Sequence, residues 1–341
     1  MRRAGPDLSR RAALAAGLAL PFAFQGAARS AGGGRWELRA PAPWRVQEVY
    51  AAARGPEAMI AGGMQVGVDG KSRAIAKVGL YDPTTDRWRE GPPLPEPRHH
   101  PLLVAHEGQV FAIGGATHES ETHEGDGAWG HWRQRRDVFV EQDGAWTPGP
   151  SLPIAQSEGV AVVHEGRIHV ISGRTSRSAD ARLWPEQRDV DLHQVLDVAS
   201  GRWSDAAPIP GARNSATGAV IDGRIYVAGG RTMAGGNMAR LDVYDPTADR
   251  WEPRAPMPEP AGGLAGAVLD GLLYVFGGER LHEAGPGGVI GLAWRYDPKR
   301  DAWERMADMA TPRHGLAAVA LGAGSWRSAA ERSPRRRERP P

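Results

Sequence analysis

The sequence predicts an all-β fold made of repeated four-stranded units, and three observations carry that prediction. Short apolar runs are split by turn dipeptides, as in SATGAVI and RIYVAGG on either side of Asp222-Gly223, the pattern of a tight β-hairpin. Tryptophans return at Trp36, Trp88, Trp146, Trp203, Trp251 and Trp303, with steps of about 50 residues. The composition, 45 Gly and 28 Pro in 341 residues with 41% hydrophobic, supplies many turns and still enough apolar surface for a large core.

The most regular unit runs from Gly211 to Pro258. Two strands flank Asp222-Gly223, and LDVYDP and DRWEP supply two more around a second turn at Pro246. The same beat is kept by glycine pairs at Gly62-Gly63, Gly114-Gly115, Gly229-Gly230 and Gly277-Gly278, with Ser172-Gly173 in the third slot. Between each pair and its tryptophan lies a turn such as YDPTTDRW at Tyr81, YDPTADRW at Tyr244 or YDPKRDAW at Tyr296. Paired glycines admit a close backbone approach, and each indole buries a large apolar area between units. A repeat of this length and content predicts a β-propeller.

These residues resemble the kelch repeat, whose pattern is a double glycine, a tyrosine before a turn and a tryptophan. The resemblance covers about Trp36 to Leu321; unit three departs from it at Ser172 and Leu196. Strand counting predicts a six-bladed ring. Trp36 has the outer-strand motif with no three strands before it, so it is expected to close a sixth blade begun at the other terminus. TPRHGLAAVALG, Thr311 to Gly322, supplies that blade's first strand, and no second apolar strand or glycine pair follows. The sixth blade is therefore expected to be incomplete. The expected domains are a signal peptide over 1–30, the propeller over 31–322 and a basic disordered tail over 323–341. The tail has a frameshift reading: codons permitted for Gly324 to Glu331 include a set that, in a shifted frame, encodes the missing second strand with its glycine pair.

Ser9-Arg10-Arg11 precedes a mostly apolar run, Ala12 to Phe24, and then small residues, which resembles a twin-arginine export signal with cleavage after Ala28 or Ser30. The run is too short for an ordinary span of about 20 residues, so no stable membrane span is expected after cleavage, and the expected location is periplasmic or secreted. The formal charge of +2 sits at the ends: four arginines against Asp7 before Ala28, and six against Glu331 and Glu338 from Arg327 onward. The middle is mildly acidic, which argues against a nucleic-acid partner. The absence of cysteine excludes disulfides, thiolate metal sites and a cysteine nucleophile.

Antiparallel alternation puts the short turns on one face and the long loops, Ala116 to Arg136 and Arg174 to Arg188, on the other, which marks the second as the binding face. The expected ligand-binding residues there are Arg98, His99, Trp129, Trp132, Arg174, Trp184, Arg213 and Arg231. The indoles offer apolar faces, and the arginine forks suit carboxylate or phosphate groups. Arg98, Arg213 and Arg313 read equally as hydrogen-bond donors between blades. Glu279, Arg313 and His314 are candidates for acid–base chemistry. His118, His123 and His131 are weak metal candidates on a loop without fixed geometry, and no metal or other cofactor is expected.

We therefore expect an exported binding protein that presents a loop-rich face to a carbohydrate or protein. The alternative is a secreted sugar-active enzyme of sialate mutarotase (epimerase) type, by fold analogy alone. Galactose oxidase-like chemistry needs a tyrosine crosslinked to cysteine and is excluded.

Overall fold

The computed structural model describes residues 36–118, 131–280 and 288–321, with the backbone of 326–329. These residues form five four-stranded antiparallel sheets, which we number as blades one to five. Blade one comprises Tyr50–Arg54, Glu57–Ala61, Val78–Asp82 and Arg87–Glu90. Blade two comprises Leu102–His106, Gln109–Ile113, Val138–Gln142 and Ala145–Pro148. Blade three comprises Val160–His164, Arg167–Ile171, His193–Asp197 and Arg202–Asp205. Thr217–Ile221, Arg224–Ala228, Leu241–Asp245 and Arg250–Arg254 make blade four. Ala265–Leu269, Leu272–Phe276, Ala293–Asp297 and Ala302–Arg305 make blade five. Among the described residues there is no α-helix, and one 3-10 turn spans Trp184–Glu186.

Where an incomplete sixth blade with a single C-terminal strand is expected, the described residues form a two-stranded sheet. Ala317–Ala320 pairs with Trp326–Ala329, so a stretch expected as tail contains a strand. Ala317–Ala320 packs against the first strands of both blade five and blade one. The innermost strands thus follow one another around an axis.

The aromatic turns explain how blades adhere. Tyr81, Tyr244 and Tyr296 each donate a phenolic hydrogen bond to Asp86, Asp249 and Asp301, at 2.6, 2.7 and 2.5 Å. Those aspartates, at φ +55°, +46° and +48°, also accept an amide from the preceding unit, from Ala40, Ala207 and Ala255. The tryptophan of each blade, two residues after the aspartate in blades one, four and five, donates its indole N–H to a carbonyl of the preceding unit: Trp88 to Ala40, Trp146 to Pro92, Trp203 to Pro150, Trp251 to Ala207 and Trp303 to Ala255, at 2.8 to 3.0 Å. Trp36 makes the same link to Ala307 at 2.6 Å, although it lies in no strand.

Above the blades, the long loops fold into short hairpins. Met64–Val66 pairs with Ser72–Ala74, Ala116–His118 with Trp132–Gln134, Arg174–Ser176 with Gln187–Asp189, and Arg231–Thr232 with Gly236–Asn237. The first three lean on one another: Ala74 packs with Met64, Ala116 and Trp132, and the Trp132 amide donates to the Arg182 carbonyl. Blades one to three therefore carry a raised wall, and blade four a lower rim.

Candidate functional site

Each inner strand is preceded by four residues that keep phase through the chain. The third of them is Glu48, His100, Glu158, Ser215, Gly263 or Gly315, and all six have left-handed backbone, with φ between +51° and +66°. Their amides form a chain of hydrogen bonds around the axis. Glu48 donates to the Gly315 carbonyl, Gly315 to Gly263, Gly263 to Ser215, Ser215 to Glu158, and His100 to Glu48. Two of the positions are glycine, the residue that adopts this conformation at no steric cost. The other four carry polar side chains, held there against a backbone preference worth about 1–2 kcal/mol each.

Below this ring lies a cavity of about 110 Å³, walled by the inner strands through Ala51, Leu103, Ala161, Gly218, Gly266 and Ala318. Above it, the ring side chains join a dense charged network. Glu158 accepts from Arg174 Nη2 at 2.8 Å and Ser215 Oγ at 2.7 Å, and faces Arg231 at 3.4 Å and His100 Nδ1 at 3.8 Å. Burial pushes its carboxyl up, but Arg174, His100 and Arg231 outweigh that and hold it at about 2. Asn214 Oδ1 accepts from both arginines, and its amide donates to Asp189 at 2.5 Å. Glu279 pairs with Arg231. Glu48 meets His100 Nε2 at 2.7 Å and His314 Nε2 at 3.4 Å. His100 Nδ1 lies 2.9 Å from His99 Nδ1, and desolvation holds His99 well below the usual histidine range, so His99 is neutral.

The predicted ligand residues divide in this geometry. Arg174 and Arg231 sit in the network. Trp184 covers Arg174, with the guanidinium carbon 3.6 Å from the ring centroid, and it is 37% exposed. Arg98 and Arg213 are buried, on Asp137 at 3.0 Å and Asp242 at 2.8 Å of their own blades. In unit three Gln156 holds that place and accepts from Gln194 at 2.6 Å. Both carboxylates belong to the arginine's own blade, whereas the expected donor role is between blades. Trp132 is buried under the rings of His99 and His118. Trp129 and His123 lie outside the described residues.

Glu279 and His314 come together, with His314 Nε2 3.8 Å from Glu279 Oε2 and Arg231 as the arginine partner of Glu279. Arg313 is the residue whose carbonyl receives the Gly278 amide. His118 Nδ1 accepts the Ala74 amide at 3.3 Å, and among the described residues no three ligating side chains, His131 included, gather to hold a metal ion. Glu48 and Glu158 were missed by motif reading. The signal that identifies them is phase: both stand two residues before an inner strand, in the slot that holds glycine in Gly263 and Gly315.

A family model described as the Kelch motif matches residues 212–258 and 260–310. Kelch-like protein terF of Aspergillus terreus is 27% identical over 200 residues, 58% of this chain and 41% of its own length. Kelch-like protein 35 of Mus musculus is 27% identical over 180 residues, 53% of this chain and 27% of its own length. Beta-scruin of Limulus polyphemus is 32% identical over 164 residues, 48% of this chain and 17% of its own length. The chain thus spans less than half the length of these relatives. With the recurring glycine pairs, the tyrosine–aspartate–tryptophan turns and blades packed around one axis, these matches identify kelch repeats in the chain and support a kelch-repeat β-propeller.

Proposed function

We propose that the chain is a binding propeller that engages a partner protein through its hairpin-bearing face. The observation that carries this reading is the asymmetry of that face. Length variation is concentrated there; the wall over blades one to three exposes Val66, Val68 and Trp184 around a charged axial mouth, while the opposite face consists of tight turns. A protein partner is favoured over a sugar, because among the described tryptophans proposed to grip one, Trp132 is covered and Trp184 alone is partly exposed. We read the ring as six-bladed: Trp36 repeats the indole link of the other outer strands, and Ala317–Ala320 takes an inner-strand position. Export by the twin-arginine route remains part of the proposal on the residues before Phe24.

Photo-crosslinking by face tests the reading. A benzoylphenylalanine placed at Val68 or Trp184 is expected to capture one discrete protein from the producing cells. The same probe at Thr84 or Ser200 on the opposite face is expected not to do so. Equal capture from both faces would overturn the assignment.

A further inference from the structure

The hairpin over blade three ends in a tied turn that holds one indole at the surface. Trp184 opens the 3-10 turn Trp184–Glu186. Glu186 Oε2 accepts the amides of Arg182 and Leu183 at 2.7 and 2.9 Å, the Arg177 amide donates to the Glu186 carbonyl, and the Trp132 amide of the neighbouring hairpin donates to the Arg182 carbonyl. One face of the indole covers Arg174, whose guanidinium carbon stands 3.6 Å from the ring centroid. Arg174 is held from its other side by Glu158 at 2.8 Å and Asn214 at 3.0 Å. Its Nε and Nη1 meet no acceptor among the described residues, so the ring is what answers that part of the buried cation. Desolvation lowers Arg174 to about 10, which leaves it charged near neutral pH.

What remains of the indole surface faces solvent. Trp184 is 37% exposed, with Pro185 exposed beside it and Leu183 half-buried. Charged groups of the same loop are engaged by its own backbone: Glu186 by the two amides, Arg182 by the Ala179 and Ala181 carbonyls at 2.8 and 2.9 Å, and Arg177 Nε by the Gln187 carbonyl at 3.0 Å. Arg188 stands opposite Thr175 in the hairpin, so alternation points it away from the side that carries Arg174 and Asp189. The indole is thus an apolar platform whose rim has its charges tied to carbonyls and amides. A sugar on an aromatic platform needs free polar groups to fix its hydroxyls. An apolar side chain needs none.

We propose that Trp184 is the anchor of the partner-binding face, and that its outer surface receives an apolar side chain of the partner protein, a proline ring or a branched aliphatic group. This rests on the partner-binding reading above and adds the chemistry of one contact. A tryptophan already held in one orientation loses little conformational freedom when a partner covers it, and residues of this kind carry much of the binding energy at interfaces. A lysine or arginine in the same place would approach a ring that already has a guanidinium on its far side. A carboxylate there would lose water without gaining a free donor.

The test uses the full chain and the protein captured by the benzoylphenylalanine probe at Val68, with their affinity measured by calorimetric titration of the two uncrosslinked proteins. Trp184→Ala is expected to weaken binding at least about 30-fold, and Trp184→Phe by no more than about fivefold. Where Trp184→Ala does not fold, Trp184→Met, which keeps an apolar cover on Arg174, carries the comparison with a loss of at least about tenfold. Double-mutant cycles then pair Trp184→Phe with serine substitutions along the partner segment that the chain protects from hydrogen exchange. The strongest coupling is expected at a proline, valine, leucine or isoleucine. Unchanged affinity in Trp184→Ala or Trp184→Met, or strongest coupling at a charged residue, would overturn the proposal and leave the binding face standing. Absence of any capture at Val68 or Trp184 would overturn the binding face itself, and this proposal with it.

Discussion

At the scale of single residues, the axial ring sets the sharpest demands. Gly315 has φ +58°, and the place of its absent Cβ is taken by Glu48 Oε2 at 2.5 Å. Gly315→Ala therefore combines a backbone cost with displacement of a buried carboxylate. We expect about 2–4 kcal/mol of destabilisation by denaturant titration. Gly271→Ala, at φ +73° with open space around it, should cost only about 1 kcal/mol. A second residue-scale prediction concerns the buried pair between blades three and four, where His169 Nδ1 and His193 Nε2 lie 2.8 Å apart and His193 Nδ1 donates to the Ala207 carbonyl. Desolvation, with mutual repulsion, lowers His169 to about 3, and desolvation lowers His193 to about 4. Both folded-state values lie below the ordinary 6.5, so the unfolded chain binds these protons first. Their contribution is complete above about pH 6.5 and is lost as the pH falls towards 4, with a slope of about 1.4 kcal/mol per pH unit for each proton. His169→Phe should flatten the stability–pH curve in that window; an unchanged curve would contradict the assignment.

At the scale of elements, the outer turn explains why tyrosine, aspartate and tryptophan recur at fixed spacing. The aspartate joins its own blade's tyrosine to the previous unit's amide, and the indole reaches that unit's carbonyl. Trp203→Ala removes the link to Pro150 and the apolar contact beside it. Because the ring is partly exposed, the expected loss is about 2–4 kcal/mol, seen as a lowered unfolding midpoint. Trp203→Phe should recover the packing but not the hydrogen bond. Much of this was legible in the sequence, since glycine pairs, turns and tryptophans are local signals that repeat. Unit three was legible as a departure, and the structure shows how it is accommodated: Ser172 takes the left-handed position at φ +61° and its hydroxyl donates to the Arg213 carbonyl. The ring residues were not legible by motif. Glu48, His100 and Glu158 come together across sequence gaps of 52 and 58 residues, and no local pattern distinguishes them from other polar residues before a strand. Arg98 and Arg213 illustrate the opposite limit, because a recurring arginine reads equally well as a donor to ligand or to a neighbouring blade. The structure shows a third arrangement: both guanidinium groups are buried and each pairs with a carboxylate of its own blade, Asp137 or Asp242.

At the scale of the whole molecule, the axis is where the blades meet and, on the proposed reading, where recognition is built. Inner strands with small residues surround a narrow cavity, the chain of amides runs over it, and the unequal hairpins turn a symmetric scaffold into a face with a wall and a low rim. Recognition therefore need not come from any single blade. On the proposed reading it arises where side chains of different repeats converge, as a propeller can build a site from an otherwise regular repeat. The measurement that tests this most directly is hydrogen exchange on the chain with and without the protein captured at Val68 or Trp184. Protection is predicted over 64–74, 174–189 and the segments leading into the inner strands at Glu48, His100 and Glu158. Protection instead over the turns at 82–87, 106–109 and 222–224, with the axial mouth unchanged, would contradict the account.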